Sequence, residues 1–179
     1  MPEPPRGLDR CVEVRDARRE EFASIGDLRV AAYRADGFLS PASAYEETLR
    51  ALGTDGDGEI LAAVDGERIL GTAMLQYWPH GGQVVRAPGE AEIRALAVAR
   101  DARGRGIGRV LLAALMQRAA VRDVRRLLLL THPDMRAAQH LYAEAGFRRL
   151  PARDFQPGSG TTLLAFSLAL SHGQSSVDE

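Results

Sequence analysis

From Ala91 to His132 the chain reads as an apolar strand, a loop rich in Arg and Gly, an amphipathic helix, and a second, almost wholly apolar strand. The four pieces are "AEIRALAV", "ARDARGRGIG", "GRVLLAALMQRAAVRD" and "RRLLLLTH". Two strands joined through one helix must lie parallel, and the crossover is right-handed. The run Leu127–Leu130 has no polar alternation, which is the pattern of a strand buried on both faces. In the helix, Val110, Leu111, Ala114, Leu115 and Ala119 form the expected apolar stripe. This β-α-β unit limits the fold to a sheet with a parallel pair and a helix packed on it.

The flanking segments add the rest. "CVEVRDA" alternates as a strand, and "REEFASIGDLRVAAYRADGF" has helical spacing with Gly37 as its stop. "SPASAYEETLRAL" reads as a helix starting at Ser40 and Pro41. Asp65-Gly66 between apolar runs predicts an antiparallel hairpin. "PDMRAAQHLYAEAG" predicts a helix opened by Pro133 and closed by Gly146; "FRRLPARDF" and "GTTLLAFSLAL" predict two final strands. The order β-α-α-β-β-β-α-β-α-β-β implies an α/β (α+β) fold: a central mixed sheet flanked by helices on both faces. No linker or repeat interrupts it. The reading is one domain over residues 10–170, with flexible tails at 1–9 and 171–179.

The charge balance limits the partners. With 23 Lys and Arg against 24 Asp and Glu, the net charge is -1, which argues against broad capture of nucleic acid or an acidic membrane. No run approaches the length of a membrane span. The single cysteine, Cys11, cannot form an internal disulfide. The four histidines have no metal-ligand spacing, so no metal is expected. A cytoplasmic protein is the expectation.

The Gly-rich loop carries the chemistry. Read from Gly104, it misplaces the third glycine of a dinucleotide fingerprint, and it lacks the Gly-Lys-Ser/Thr of a Walker loop. A plain structural turn is the other reading. Yet the glycines stand where a strand gives way to a helix. Free amides at a helix start, with the helix dipole behind them, make an anion site. Gly lets backbone approach a phosphate closely, and Arg103, Arg105 and Arg109 add positive charge. The physics suggests a phosphate or pyrophosphate ligand, without naming the molecule.

"RGRGIG" resembles the R/Q-x-x-G-x-G/A motif of the GCN5-related N-acetyltransferase (GNAT) superfamily, with Arg103, Gly106 and Gly108 as its fixed points. "AAQHLYAEAGF" is similar to that family's second motif at Ala138, Leu141, Tyr142, Gly146 and Phe147. The specific likeness covers Glu90 to Phe147. It implies a GNAT-like acyl-CoA N-acyltransferase fold and acetyl-CoA (coenzyme A) as donor. The pyrophosphate would sit on the amides of Arg103, Gly104, Arg105, Gly106, Ile107, Gly108 and Arg109. The pantetheine arm would pair with Leu96, Ala97 and Val98, along an edge that the family opens with a bulge. The family often has Asn where this chain has Met135, so that contact with the arm would be made by backbone or lost.

The resemblance further implies catalytic roles. Tyr142 would donate towards the CoA sulfur. Glu92 would act as base, directly or through water, with Glu90 in reserve. Regular alternation would put Glu92, Arg94 and Leu96 on one face of the strand. Each has a structural alternative: Tyr142 as a core aromatic, Glu92 as a partner of Arg94. The acceptor would be a primary amine of a small molecule or peptide, attacking directly in a ternary complex. Tyr33, Phe38, Tyr45, Trp78 and His80 are candidates to line its pocket. Cys11 is far in sequence from both motifs, so no covalent acyl-enzyme is expected. The alternatives are a catalytically inactive CoA-binding sensor or interaction module, and an enzyme using a longer acyl chain. A homodimer is compatible with the resemblance.

Overall fold

The computed structural model describes residues 12–40, 43–80, 82–158 and 160–171. Cys11, Pro41 and both tails, apart from Ser171, lie outside them. The elements follow the expected order: β1 (Val12–Asp16), α1 (Phe22–Ala35), α2 (Tyr45–Ala51), β2 (Glu59–Asp65), β3 (Arg68–Tyr77), β4 (Glu90–Val98), α3 (Ile107–Val121), β5 (Arg126–Thr131), α4 (Arg136–Glu144), β6 (Arg148–Arg149) and β7 (Leu164–Ala169). The described chain forms two compact units, 12–75 with 94–115 and 76–93 with 116–171.

In the first unit the strand order is β1-β2-β3-β4. β1 and β2 are antiparallel from Val12↔Asp65 to Asp16↔Leu61. The Asp65-Gly66 turn returns the chain so that Asp65 pairs with Arg68, and the β2–β3 register shifts between Ala63 and Val64. Alternation sorts the side chains between two faces. Ile60, Ala62, Val64 and Met74 pack with Ile25 and Phe22 of α1. On the opposite face, Gly71, the partner of Ala63, lies under Ile107 and Leu111 of α3. Helices therefore cover both faces of this part of the sheet, as expected. The buried side of α3 is Ile107, Leu111, Leu112, Leu115 and Ala119. Val110 and Ala114 are only half-buried, so the stripe is rotated from the expected one.

In the second unit the order is β4-β5-β7-β6. β4 and β5 are parallel from Glu90↔Arg126 to Ile93↔Leu129, as the crossover requires. β5 and β7 are antiparallel from Arg126↔Ala169 to Thr131↔Leu164, so the sheet is mixed. Val84, Leu128 and Ala165 form a core on one face. Tyr142 of α4 packs on Phe166 on the other, with ring centroids 6.5 Å apart.

Element ends differ from the sequence reading. Arg19–Glu21 form a 3-10 turn before α1. α2 begins at Tyr45, after the turn bond from the Ser43 amide to the Ser40 carbonyl. α4 begins at Arg136 rather than Pro133. β6 shrinks to two residues because Pro151 opens a 3-10 turn and has no N–H for a ladder.

Candidate functional site

The Gly loop belongs to the first unit. Ala102 and Ile107, 0% and 1% exposed, anchor its two ends. Between them Gly104 and Gly106 take φ of 77° and 76°, the left-handed region that other residues enter only at a cost. α3 then starts, and its Val110 amide donates to the Gly106 carbonyl at 3.1 Å. Helix geometry leaves the amides just before Val110 without an intrahelical acceptor. The loop thus carries two left-handed glycines directly before the first turn of α3.

Of the three arginines, Arg103 is committed within the unit. Its Nη1 and Nη2 donate to the Asp36 carboxylate at 2.7 and 3.0 Å, and its Nε donates to the Val98 carbonyl at 3.4 Å. Asp36 is the C-cap residue of α1, where a carboxylate opposes the helix dipole. Arg103 offsets that and ties α1 to the loop. Arg105 lies 3.9 Å from Asp65.

Leu96, Ala97 and Val98 form the end of β4 that leads into the loop. The Ala99 amide donates to the Leu70 carbonyl at 2.8 Å, which fixes that end beside β3. Ala95 has a φ of 49° inside the strand. A left-handed alanine costs about 1–2 kcal/mol and breaks the pleat. β4 is therefore irregular at this point, and Glu92, Arg94 and Leu96 do not form the single regular row that alternation predicted. The irregularity falls two residues after Ile93, the last residue in the β5 register.

Glu92, Glu90 and Tyr142 belong to the second unit. Glu92 is 2% exposed, and its Oε2 accepts from the Gln83 amide at 2.8 Å and the Val84 amide at 3.4 Å. Glu90 accepts a two-pronged pair from Arg153, both bonds at 3.0 Å, and a bond from the Arg86 amide at 2.8 Å. Burial pushes the Glu90 carboxyl up, but the Arg153 and Arg86 bonds, with the charges of Arg153 and Arg126, bring it below its ordinary value. Glu90 is held as a carboxylate in a structural ion pair, which takes it out of reserve as a base.

Tyr142 is buried against Phe147 and Phe166. Burial pushes its phenol up to about 12. It therefore keeps its proton throughout the working range. The register puts Glu92 opposite Leu128, on the face of Val84 and Ala165. Tyr142 lies on the face of Phe166, which pairs with Leu129. The two candidate catalytic groups stand on opposite faces of the sheet. Met135 is the N-cap residue of α4 and accepts the Gln139 amide at 3.0 Å through its carbonyl.

The sequence reading missed Gly71, Asp36 and the left-handed Ala95. Gly71 had a faint signal, as a lone glycine inside a strand pattern marks close approach of other backbone. An acid at a helix C-terminus signals an outside cation for Asp36. Ala95 had none.

The model of the Acetyltransferase (GNAT) family matches residues 18–147, and the chain belongs to this family. A mycothiol acetyltransferase from Cellulomonas flavigena is 34% identical over 119 residues, covering 62% of this chain and 34% of that protein. The chain spans about a third of the length of the curated relatives it matches. A GCN5-related N-acetyltransferase from Kribbella flavida superposes with a TM-score of 0.69 at 24% identity, over 89% of this chain and 98% of that one. PaiA N-acetyltransferase from Thermoplasma acidophilum, in complex with coenzyme A, gives 0.68 at 15% identity, over 89% and 99%. These two likenesses show the fold. Among the described residues, no helix is long and apolar enough to cross a membrane.

Proposed function

We propose that the chain transfers an acetyl group from acetyl-CoA to a primary amine of a small molecule or peptide, by direct attack. The observation that carries this is the left-handed Gly104 and Gly106 leading into the first turn of α3, within a family of acetyltransferases. The residues fit the cofactor: amides from Arg103 to Arg109 for the pyrophosphate, and backbone of Leu96 to Val98 for the pantetheine. Acetyl-CoA supplies an acyl group activated as a thioester. A neighbour of the same fold is solved with coenzyme A, which supports the reading.

The proposed roles of the side chains are those that the family resemblance implies. As the new C–N bond forms and the C–S bond breaks, the amine nitrogen must lose a proton. Glu92 is the proposed acceptor of that proton, directly or through a water. Tyr142 is the proposed donor of a hydrogen bond to the departing sulfur. Full transfer from a phenol at about 12 to a thiolate of ordinary pKa near 8.5 is uphill by about 5 kcal/mol, so a stabilising hydrogen bond is its contribution. A backbone N–H of Leu96 to Val98 would face the carbonyl oxygen as it gains charge.

The curated relatives are mycothiol acetyltransferases, but the match covers about a third of their length. The proposed acceptor is therefore a chemical class, the primary amines, and not a single compound. The reading extends to a cytoplasmic setting. The test is release of free thiol from acetyl-CoA across an amine panel. Amine-dependent release supports the enzyme; tight binding of CoA with no release from any amine favours the inactive module.

A further inference from the structure

Beside α1 the first unit opens a groove of about 580 Å³, within the range of roughly 300–1,000 Å³ of small-molecule sites. Leu28, Ala31 and Ala35 line it from the helix, and Ile69 and Ala99 line it from the sheet. The spacing of the three helical residues puts them on one face of α1. Small alanines leave the space that larger side chains would fill.

Three charged groups also line the groove: Asp27, Glu67 and Arg100. Asp27 is held by Arg50, which offsets its charge. Glu67 and Arg100 are exposed, and neither side chain makes an ion pair or hydrogen bond among the described residues, with the other or with a third group. Their neighbours in sequence are paired, since Arg68 Nη2 donates to the Asp101 carboxylate. That bond ties the β2–β3 turn to the turn after β4, the two segments that carry Glu67 and Arg100. The Ala99 amide, donating to the Leu70 carbonyl at 2.8 Å, joins β3 to the end of β4 through backbone. The groove therefore sets one open acid and one open base beside an apolar surface, on segments that are bonded together.

This combination selects its occupant by charge. A simple amine meets Glu67 but brings a like charge to Arg100, and a simple carboxylate does the reverse. A residue inside a peptide has neither charge on its backbone. We infer that the groove binds a free amino acid with an apolar side chain. The ammonium pairs with Glu67, the carboxylate takes the Arg100 guanidinium, and the side chain lies on Leu28, Ala31 and Ile69. The inference goes beyond the acetyl-transfer reading and does not depend on it.

An NMR titration of the full chain without acetyl-CoA tests it with leucine, leucinamide, N-acetylleucine and glycine. Leucine should shift the amides of Ala31, Ala35 and Arg100 saturably, with a millimolar Kd, as suits so small a ligand. Leucinamide lacks the carboxylate, N-acetylleucine the ammonium and glycine the apolar side chain, so each should bind at least about threefold more weakly. Glu67→Gln should erase the preference for leucine over N-acetylleucine, and Arg100→Gln the preference over leucinamide. Both variants alter exposed side chains without partners, so the dispersed spectrum should stay intact. Ala31→Trp, which fills the groove from an exposed helix position, should abolish the shifts. No saturable shift with leucine, equal binding of leucinamide or N-acetylleucine, or preferences unchanged in the two charge variants would overturn the inference. Shifts at these amides that follow protein concentration and ignore leucine would make a second copy of the chain the occupant, and would overturn it as well.

Discussion

Gly71→Ala tests how the Gly-rich loop is held. A methyl group at Gly71 would lie 2.9 Å from Ile107 Cγ2, 3.0 Å from the Ala97 carbonyl oxygen and 3.1 Å from Leu111 Cδ1. A side-chain end can rotate away, but the Ala97 oxygen is backbone of the strand that leads into the loop. Relief must come from moving the start of α3, since Ile107 and Leu111 are both on its first turns. Overpacking of this kind costs about 1–3 kcal/mol. Loss of backbone freedom in the unfolded chain returns about 0.4–1 kcal/mol. The net loss should be about 1–2 kcal/mol, or roughly 2–8 °C in Tm for a chain of this size. Displacement of one amide from a charged ligand should also raise the Kd for acetyl-CoA at least about tenfold. Gly56→Ala is the control: Gly56 has a φ of 88° and nothing within 4 Å of the added carbon, so it loses stability through backbone strain alone. Calorimetric titration and thermal melts of both variants separate the effects. If Gly71→Ala binds acetyl-CoA as well as Gly56→Ala does, the packing of α3 on Gly71 does not set the loop.

Tyr142→Phe should lower kcat about 10- to 100-fold and leave the Kd for acetyl-CoA within about twofold, since only a donor to the sulfur is lost. With the phenol at about 12, the wild-type rate should show no fall from Tyr142 ionisation up to about pH 10, checked by a pH–rate profile. Arg153→Ala leaves Glu90 buried without its main partner and should cost about 3 kcal/mol in urea unfolding at pH 7. Because the folded-state carboxyl of Glu90 lies below its unfolded value, its stabilisation is present above that unfolded value and is lost as pH falls through the folded one. The deficit of Arg153→Ala should therefore shrink on acidification, measured by repeating the unfolding at low pH. Asp36→Asn releases Arg103 beside the loop and should tighten acetyl-CoA about threefold at low salt, an effect that disappears at high salt in the same titration.

The parts of the fold that sequence makes plain are those with a local physical cause. The apolar run Leu127–Leu130 becomes an interior strand paired with β4 and β7, where both of its faces can be covered by other layers. Asp65-Gly66 turns the β2–β3 hairpin because of its own backbone preferences. The turn at Gly104 and Gly106 was legible because glycine enters the left-handed region without the cost other residues meet. What the sequence did not disclose depends on residues distant in the chain. Glu90 and Glu92 look alike along the strand; Arg153 makes one an ion pair, while two loop amides meet the other. Ala95 has no intrinsic left-handed preference, so only the tertiary structure can hold it there. Nothing in the sequence around Arg29 shows that its guanidinium will hold the end of α2.

The most direct measurement is calorimetric titration of the protein with acetyl-CoA, CoA and NADH, beside the Gly108→Trp variant, whose indole would crowd the first turn of α3. Acetyl-CoA and CoA should bind, NADH should not, and the variant should bind none of them. If acetyl-CoA gives no binding heat with the wild-type protein, the loop is a structural turn, and the account of acetyl transfer is wrong.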